Sequence, residues 1–441
     1  MKDKINKSSI THHPFALIVF SVLGLLLFSA AEIKAQASSP YSRFGLGSIR
    51  SNVFSANRAM GDLSAPYYSA VHINYANPAS YASLLRTTIE AGALLDGASI
   101  TTRDSTYSAL NGGVSHLAIA FVPKPDKWAV TLGLVPVSNL SYTFIQNFND
   151  TTLGSFREVF AGKGSTYNAY IGGAYKIKGF SIGTNLGYTF GKLDYQKTIT
   201  FPDTVEAYIT RNITNMNVRG FSYTLGVQYQ NRIYHNTDQL DPRTDIYVTA
   251  GATVAGGIPL VSSTDNYWDR LNFNSSVGFT TVDTVLATFN TKGTIKMPMN
   301  FSGGIMFGNE KFWMIGTDFK YNTWSNFSSP LNNDQLSNSW KWSIGFQVIP
   351  RYDDRKFFNK MQYRAGFYYG ASEFSFRGQQ LNELAGTVGL GVPFKNVARL
   401  NISGQFGTRG VADKSAIRET FYRLSFGLVL NDIWFIKRKY D

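Results

Sequence analysis

The 441-residue sequence contains no cysteine. Disulfides are therefore excluded as a source of stability, and thiolate zinc sites with them. Histidine is scarce too: beyond the first 37 residues only His72, His116 and His235 occur, widely spaced, so no metal site is expected. No phosphate-binding P-loop and no dinucleotide fingerprint is present, and no cofactor is implied. Leucine-rich helical periodicity is missing. After Ala31 nothing approaches the 18 or so consecutive apolar residues of a spanning helix. A near-neutral mean hydropathy likewise excludes a helical-bundle membrane protein, but it fits a wall whose two faces cancel.

What is abundant is aromatic residues and glycine. Tyr (25), Phe (33) and Gly (40) favour sheet, because aromatic side chains suit a pleated surface and glycine lets small positions alternate with large ones. The first residues give an address. Lys2, Lys4 and Lys7 precede an uncharged run from Phe15 to Ala31, and Ala35-Gln36-Ala37 follows as a small-residue cleavage site. This order is that of a secretory signal peptide over 1–37, with a short membrane anchor as the alternative. If the exported chain resides in a membrane, it must span it as strands, since no later segment is a spanning helix. The formal charge of +13 falls to +11 without residues 1–37. Lys and Arg are scattered rather than clustered, which argues against a nucleic-acid partner and for outer-membrane lipid or an anionic cargo head group.

From Thr87 onward a two-residue period is clear. In "GFSIGTNLGYTFG", Phe180, Ile182, Thr184, Leu186, Tyr188 and Phe190 share one face, and Ser181, Gly183, Asn185, Gly187, Thr189 and Gly191 share the other. The same split recurs for Phe221 to Tyr229 and for Leu400 and Ile402 against Asn401, Ser403 and Gln405. These runs predict strands near 87–101, 114–122, 127–145, 165–177, 179–198, 216–230, 243–259, 294–307, 311–325, 338–349, 361–374, 384–392, 397–407 and 419–436. The fold class expected is all-β: a transmembrane antiparallel barrel of about 14 strands over 87–441.

Such barrels have short periplasmic turns and longer outer loops. If the first strand runs outward, the breaks at 123–126, 178, 308–310 and 393–396 are the tight turns, while 146–164, 199–215 and 260–293 read as long polar outer loops. The links 231–242 and 350–360 break the rule and are candidate contacts for a periplasmic partner. Trp128, Trp313 and Trp434 fall at the turn side, and Trp324 and Trp340 at the outer ends, as interfacial girdles require.

Residues 38–86 lack either period, yet hold too many apolar residues for a disordered tail. A barrel lumen would satisfy the backbone of such a segment, which is therefore expected to be a plug. Three motifs follow one another in it: Gly45-Leu46-Gly47, Arg58-Ala59-Met60-Gly61 and Asn77-Pro78-Ala79. In that order they resemble the hatch pattern of the outer-membrane long-chain fatty-acid transporter family, which includes hydrocarbon uptake channels. The resemblance implies a fourteen-stranded barrel, a hatch over 38–86, and hatch and gating roles for Gly45, Gly47, Gly61, Asn77, Pro78 and Ala79. Asn77-Pro78 also reads as an ordinary turn before a strand. Gly133 and Pro136 lie within the third strand, where proline removes a ladder donor, so a break or a bulge is expected there. In the family a kink at that strand is a lateral gate.

Chemistry is not signalled. Gly179-Phe180-Ser181-Ile182-Gly183 matches a nucleophile elbow but lies in an alternating strand instead of a strand-turn-helix. No enzyme is expected. The function the resemblance implies is passive uptake of hydrophobic small molecules with lateral release, in the bacterial outer membrane. The alternative is a structural or partner-binding barrel of the type IX secretion machinery, for which the basic end Lys437-Arg438-Lys439 and the two long links suit docking.

Overall fold

The computed structural model describes residues 40–101, 106–151, 154–201, 208–235, 245–274, 278–331, 334–376, 378–394, 397–410 and 418–434. The expected signal peptide and the basic C-terminal end lie outside these residues. After a two-residue strand β1 (Ser48–Ile49) and a four-residue helical turn α1 (Ser55–Arg58), the chain forms β2 (Thr87–Thr101), β3 (Thr106–Lys124), β4 (Trp128–Asp150), β5 (Gly154–Ile177), β6 (Phe180–Thr200) and β7 (Ile209–Tyr234). Then come β8 (Ile246–Gly256), β9 (Leu260–Asn274), β10 (Gly278–Ile295), β11 (Met299–Gly308), β12 (Trp313–Asn322) and β13 (Ser339–Val348). The last four are β14 (Gln362–Phe376), β15 (Gln379–Phe394), β16 (Ala398–Gly410) and β17 (Arg418–Asp432). β17 pairs antiparallel with β2 from Arg418↔Thr101 to Asp432↔Thr87 and closes the wall.

The wall is a fourteen-stranded barrel because two of its strands are each made of two pieces. β7 holds β8 along its lower half and β9 along its upper half, while β11 lies against β8 and β10 against β9. The breaks fall where the backbone demands them: Gly256 and Gly257 take positive φ (+88° and +87°), and Pro298 lacks a ladder donor.

The alternation read in the sequence is the two faces of this wall. Phe180, Ile182 and Leu186 are exposed outward, whereas Ser181, Asn185 and Thr189 are buried toward the lumen. Phe180 to Phe190 is about the length a tilted strand needs to cross hydrocarbon, roughly 9–11 residues.

Three expectations are corrected. Among their described residues, the stretches 146–164, 199–215 and 260–293 are largely paired strand instead of loop: β4 and β5 stay paired up to Asp150↔Gly154, β6 and β7 up to Ile199↔Thr210, and β9 and β10, with three register shifts, from Leu260↔Ile295 to Asn274↔Gly278. Ladder hydrogen bonds are indifferent to side-chain polarity, so Thr- and Asn-rich segments pair as well as apolar ones. Trp324 is not on a girdle but buried, its ring 5.7 Å from that of Phe327. The link at 231–242 begins later than expected, since β7 runs to Tyr234; residues 236–244 lie outside those described.

The filled lumen and its side opening

Residues 41–86 pass down the inside of the barrel, and the wall is shaped to receive them. Near the outer end the Ser42 hydroxyl donates to the Ser141 carbonyl (2.9 Å), and the Gly45 amide to the Asp334 carboxylate (2.8 Å). Midway, one Asp318 carboxylate oxygen accepts from the Ser64 amide (2.8 Å), the Ser64 hydroxyl (2.7 Å) and the Ala65 amide (2.9 Å). Thr387 accepts from the Gly61 amide (2.9 Å) and donates to the Ala59 carbonyl (3.0 Å). Toward the turn end the Tyr81 hydroxyl donates to Asn185 (3.0 Å), whose amide donates to the Tyr75 carbonyl (3.1 Å).

The motif residues sit at the contacts between segment and wall. Asn77 accepts from the Ala79 amide (3.1 Å) and donates to the Ala65 carbonyl (2.6 Å), and Pro78 opens a 3-10 turn that ends at Ser83. Ala79 is fully buried. Gly45, Gly47 and Gly61 all have positive φ (+63°, +97° and +70°). A Cβ on Gly47 would lie 2.6 Å from the Asn139 carbonyl oxygen, and one on Gly61 2.7 Å from that of Ile344. Glycine is required at both on space as well as on φ.

Sequence reasoning missed a second feature, a ring of lumen charges. Asp62 receives Lys341 at 2.7 Å, and Lys320 donates to the Asp62 carbonyl (3.0 Å). Asp96 bridges Arg50 and Arg423, and Glu383 holds Arg409 (2.7 Å) and the Tyr368 hydroxyl (2.6 Å). These groups line a cavity of about 320 Å³ that extends to Asn111 on β3 and Asn139 on β4. Above it, Trp324 and Phe327 of the β12–β13 connection pack with Leu46, Leu140, Leu193 and Met216 into an apolar cap. The available signal was a charge at inward-facing positions, such as Asp318 and Lys320 in "GTDFKYN".

Burial is the largest influence on the Asp62 carboxyl and pushes its pKa up, but Lys341, Arg58 and Lys320 together outweigh it and hold it below the usual carboxylate range. Since the folded value lies below the unfolded one, this stabilisation is complete at neutral pH and is lost progressively as pH falls from the ordinary carboxylate range through the folded value. Acid should therefore loosen the segment, and Asp62→Asn should flatten that dependence. Heat-modified electrophoretic mobility measured across acid pH checks both.

Among the described residues, the wall is incomplete between β3 and β4. These two strands pair only from Lys124↔Trp128, across a register shift before Phe121↔Val130, to Leu117↔Leu134. Above that, β4 carries a bulge between Pro136 and Ser138, and β3 one between the positions opposite Gly92 and Ala93. β4 is met there by β1, through Ile49↔Ser138 and Ser48↔Asn139, and the Arg50 amide donates to the Val137 carbonyl (2.9 Å). Gly133 lies just below, opposite Ala118, where a Cβ would crowd the Leu117 carbonyl. The structure thus brings Gly47, Gly133 and Pro136 to one seam, while Gly61 and Asn77 to Ala79 seat the segment elsewhere in the lumen. Leu110 and Val114 on β3 and Ile49 on β1 present exposed apolar side chains beside the seam. At its base His116 stacks on Phe54 (3.6 Å between centroids), its Nε2 3.7 Å from Glu90.

Solved structures share this architecture. A monoaromatic hydrocarbon channel, CymD, superposes with a TM-score of 0.54 at 13% identity, over 87% of this chain and 99% of its own. The Pseudomonas putida toluene transporter TodX gives 0.53 at 16%, over 87% and 100%, and a Pseudomonas aeruginosa FadL homologue 0.53 at 11%, over 87% and 98%. At these identities the likeness establishes the fold, a closed barrel like those of outer-membrane transporters. No curated protein matches in sequence. The sequence model of the BamG family matches residues 17–441, and the chain belongs to the BamG family.

Proposed function

We propose that this protein is an outer-membrane channel for hydrophobic small molecules, in which residues 38–86 act as a hatch within the barrel 87–441 and release is lateral. The observation that carries the reading is the seam: the lumen is filled below by the segment and capped above, whereas β3 and β4 separate beside the cavity. Moving about a dozen methylenes into water costs on the order of 10 kcal/mol, so an exit directly into the bilayer suits greasy cargo. The ion-paired cavity offers poor solvation to a whole hydrocarbon. The apolar part of a ligand would instead follow Leu110, Val114 and Ile49, and withdrawal of β1 from β4 would widen the path. Long-chain fatty acids and small aromatic hydrocarbons are the classes to test.

A latch at the seam tests this directly. Ile49 and Ser138 form a non-hydrogen-bonded antiparallel pair, the closer kind, with a geometry suited to a disulfide. The absence of native cysteine makes Ile49→Cys, Ser138→Cys a clean pair. In vesicles, the oxidised form should lose protein-dependent uptake of laurate and toluene, and reductant should restore it. Uptake that is the same oxidised and reduced would sink lateral release.

The many hydrogen bonds on residues 41–86 favour a second reading, a fixed plug in a structural or partner-binding barrel such as a type IX secretion subunit. Vesicles that take up neither probe, together with stoichiometric protein partners on purification, would favour it.

A further inference from the structure

The connection between β13 and β14 is built more firmly than a turn requires. Asp354 accepts from the Lys356 amide (3.1 Å) and from the Asn359 side chain (2.5 Å), and the Arg351 amide donates to the Asn359 carbonyl (2.8 Å). This frame ends in a 3-10 turn, Phe357–Lys360, that holds two aromatic rings out: Phe357 is 48% and Phe358 70% exposed, with the rings edge to face at 5.8 Å. Aromatic side chains held out by a hydrogen-bonded frame point to a surface that something covers.

Which side of the wall the turn occupies decides what covers it. Gln362 and Arg364 are buried toward the lumen, so Tyr363 between them faces outward, in register with the exposed Leu390. The Tyr363 hydroxyl donates to the Phe358 carbonyl (3.1 Å). That bond ties the turn to the lipid-facing side of the barrel, at the same end as the exposed rings of Phe312, Phe394 and Trp434. The connection also carries Arg351, Arg355, Lys356 and Lys360 against Asp353 and Asp354. Four cations against two carboxylates leave the connection with a net positive charge, so its surface is basic.

We propose that this turn is a docking site for anionic phospholipid of the periplasmic leaflet, with Phe357 and Phe358 among the upper acyl segments and Arg355 and Lys356 on the phosphates. Amphipathic rings beside basic side chains are what a membrane interface selects. The inference uses the outer-membrane placement proposed above but not the uptake reading, so either can fail alone.

The test uses the full-length chain in nanodiscs of phosphatidylcholine, with and without phosphatidylglycerol. Native mass spectrometry should find phosphatidylglycerol retained over phosphatidylcholine, and the exposed double variant Arg355→Gln, Lys356→Gln should reduce that preference about tenfold or more, since each surface cation contributes several-fold. An environment-sensitive fluorophore on Phe358→Cys, the sole thiol of that variant, should be quenched by lipid-borne nitroxide and shielded from iodide. An unchanged lipid preference in the double variant would overturn the proposal. So would a fluorophore open to iodide in nanodiscs but shielded in membranes containing the cell's own proteins, which would assign the turn to a protein partner instead.

Discussion

Replacing Gly183 with valine is expected to unseat the N-terminal segment. Gly183 faces inward on β6, directly against the Asn77-Pro78-Ala79 turn, and a Cβ there would lie 2.5 Å from the Pro78 carbonyl carbon and 2.6 Å from the Ala79 amide nitrogen. Both are backbone atoms on a turn that starts with proline and is tied down through Asn77, so no flexible side chain can move aside. Overpacking a tight contact costs about 1–3 kcal/mol or more, and this contact is tighter than real Cβ atoms adopt. The strain leaves two outlets: the wall distorts, or the segment moves. The wall is held by ladders on both sides of β6, so the segment gives way. Trypsin should then cut at Arg58, which is buried in the native lumen, and conductance across planar bilayers should rise. The control is one strand away. Gly173 on β5 faces outward, and the nearest atom to an added Cβ is 3.7 Å away. Gly173→Val should leave both readouts unchanged, and equal behaviour of the two variants would rule out the steric account.

That pair also marks what was legible in the sequence. Period-2 alternation put Gly183 on the opposite face from Phe180 and Ile182, and the absence of any period in 38–86 marked that segment as filling. The strand extensions were harder to read because the polarity of the faces inverts beyond the bilayer. On β6 the outward row up to Phe190 is apolar apart from Thr184, but beyond Gly191 the inward Leu193 is the buried residue and Lys192 faces out. β7 does the same, with Met216 and Val218 buried inward and Phe221 exposed outward. An inversion of phase reads in one dimension as loss of the strand. The pairing of the lumen charges was illegible for a different reason: Asp62 and Lys341 lie 279 positions apart, and only closure of the barrel brings them together.

Among those lumen groups Asp318 is the one whose removal should cost most. A single carboxylate oxygen accepts three hydrogen bonds from residues 64 and 65, and the residue is almost wholly buried. In Asp318→Ala two backbone amides and a hydroxyl lose their acceptor where water cannot readily replace it, and each buried unsatisfied group costs about 1–3 kcal/mol. The losses overlap, so about 3–5 kcal/mol in total is a reasonable expectation for breaking a buried charged contact. Asp318→Asn separates the two contributions. Because all three donors converge on the same oxygen, an amide carbonyl in that place can still accept them, and only the charge assistance is lost. The Asn variant should therefore keep most of its stability, while the Ala variant unfolds at markedly lower denaturant and exposes Arg58 to trypsin. If both variants lose stability equally, the negative charge beside Lys320 is what matters. If neither does, the segment is held mainly by shape, by the close fit of Gly183 and Gly61 against backbone, and the hydrogen bonds merely complete that fit.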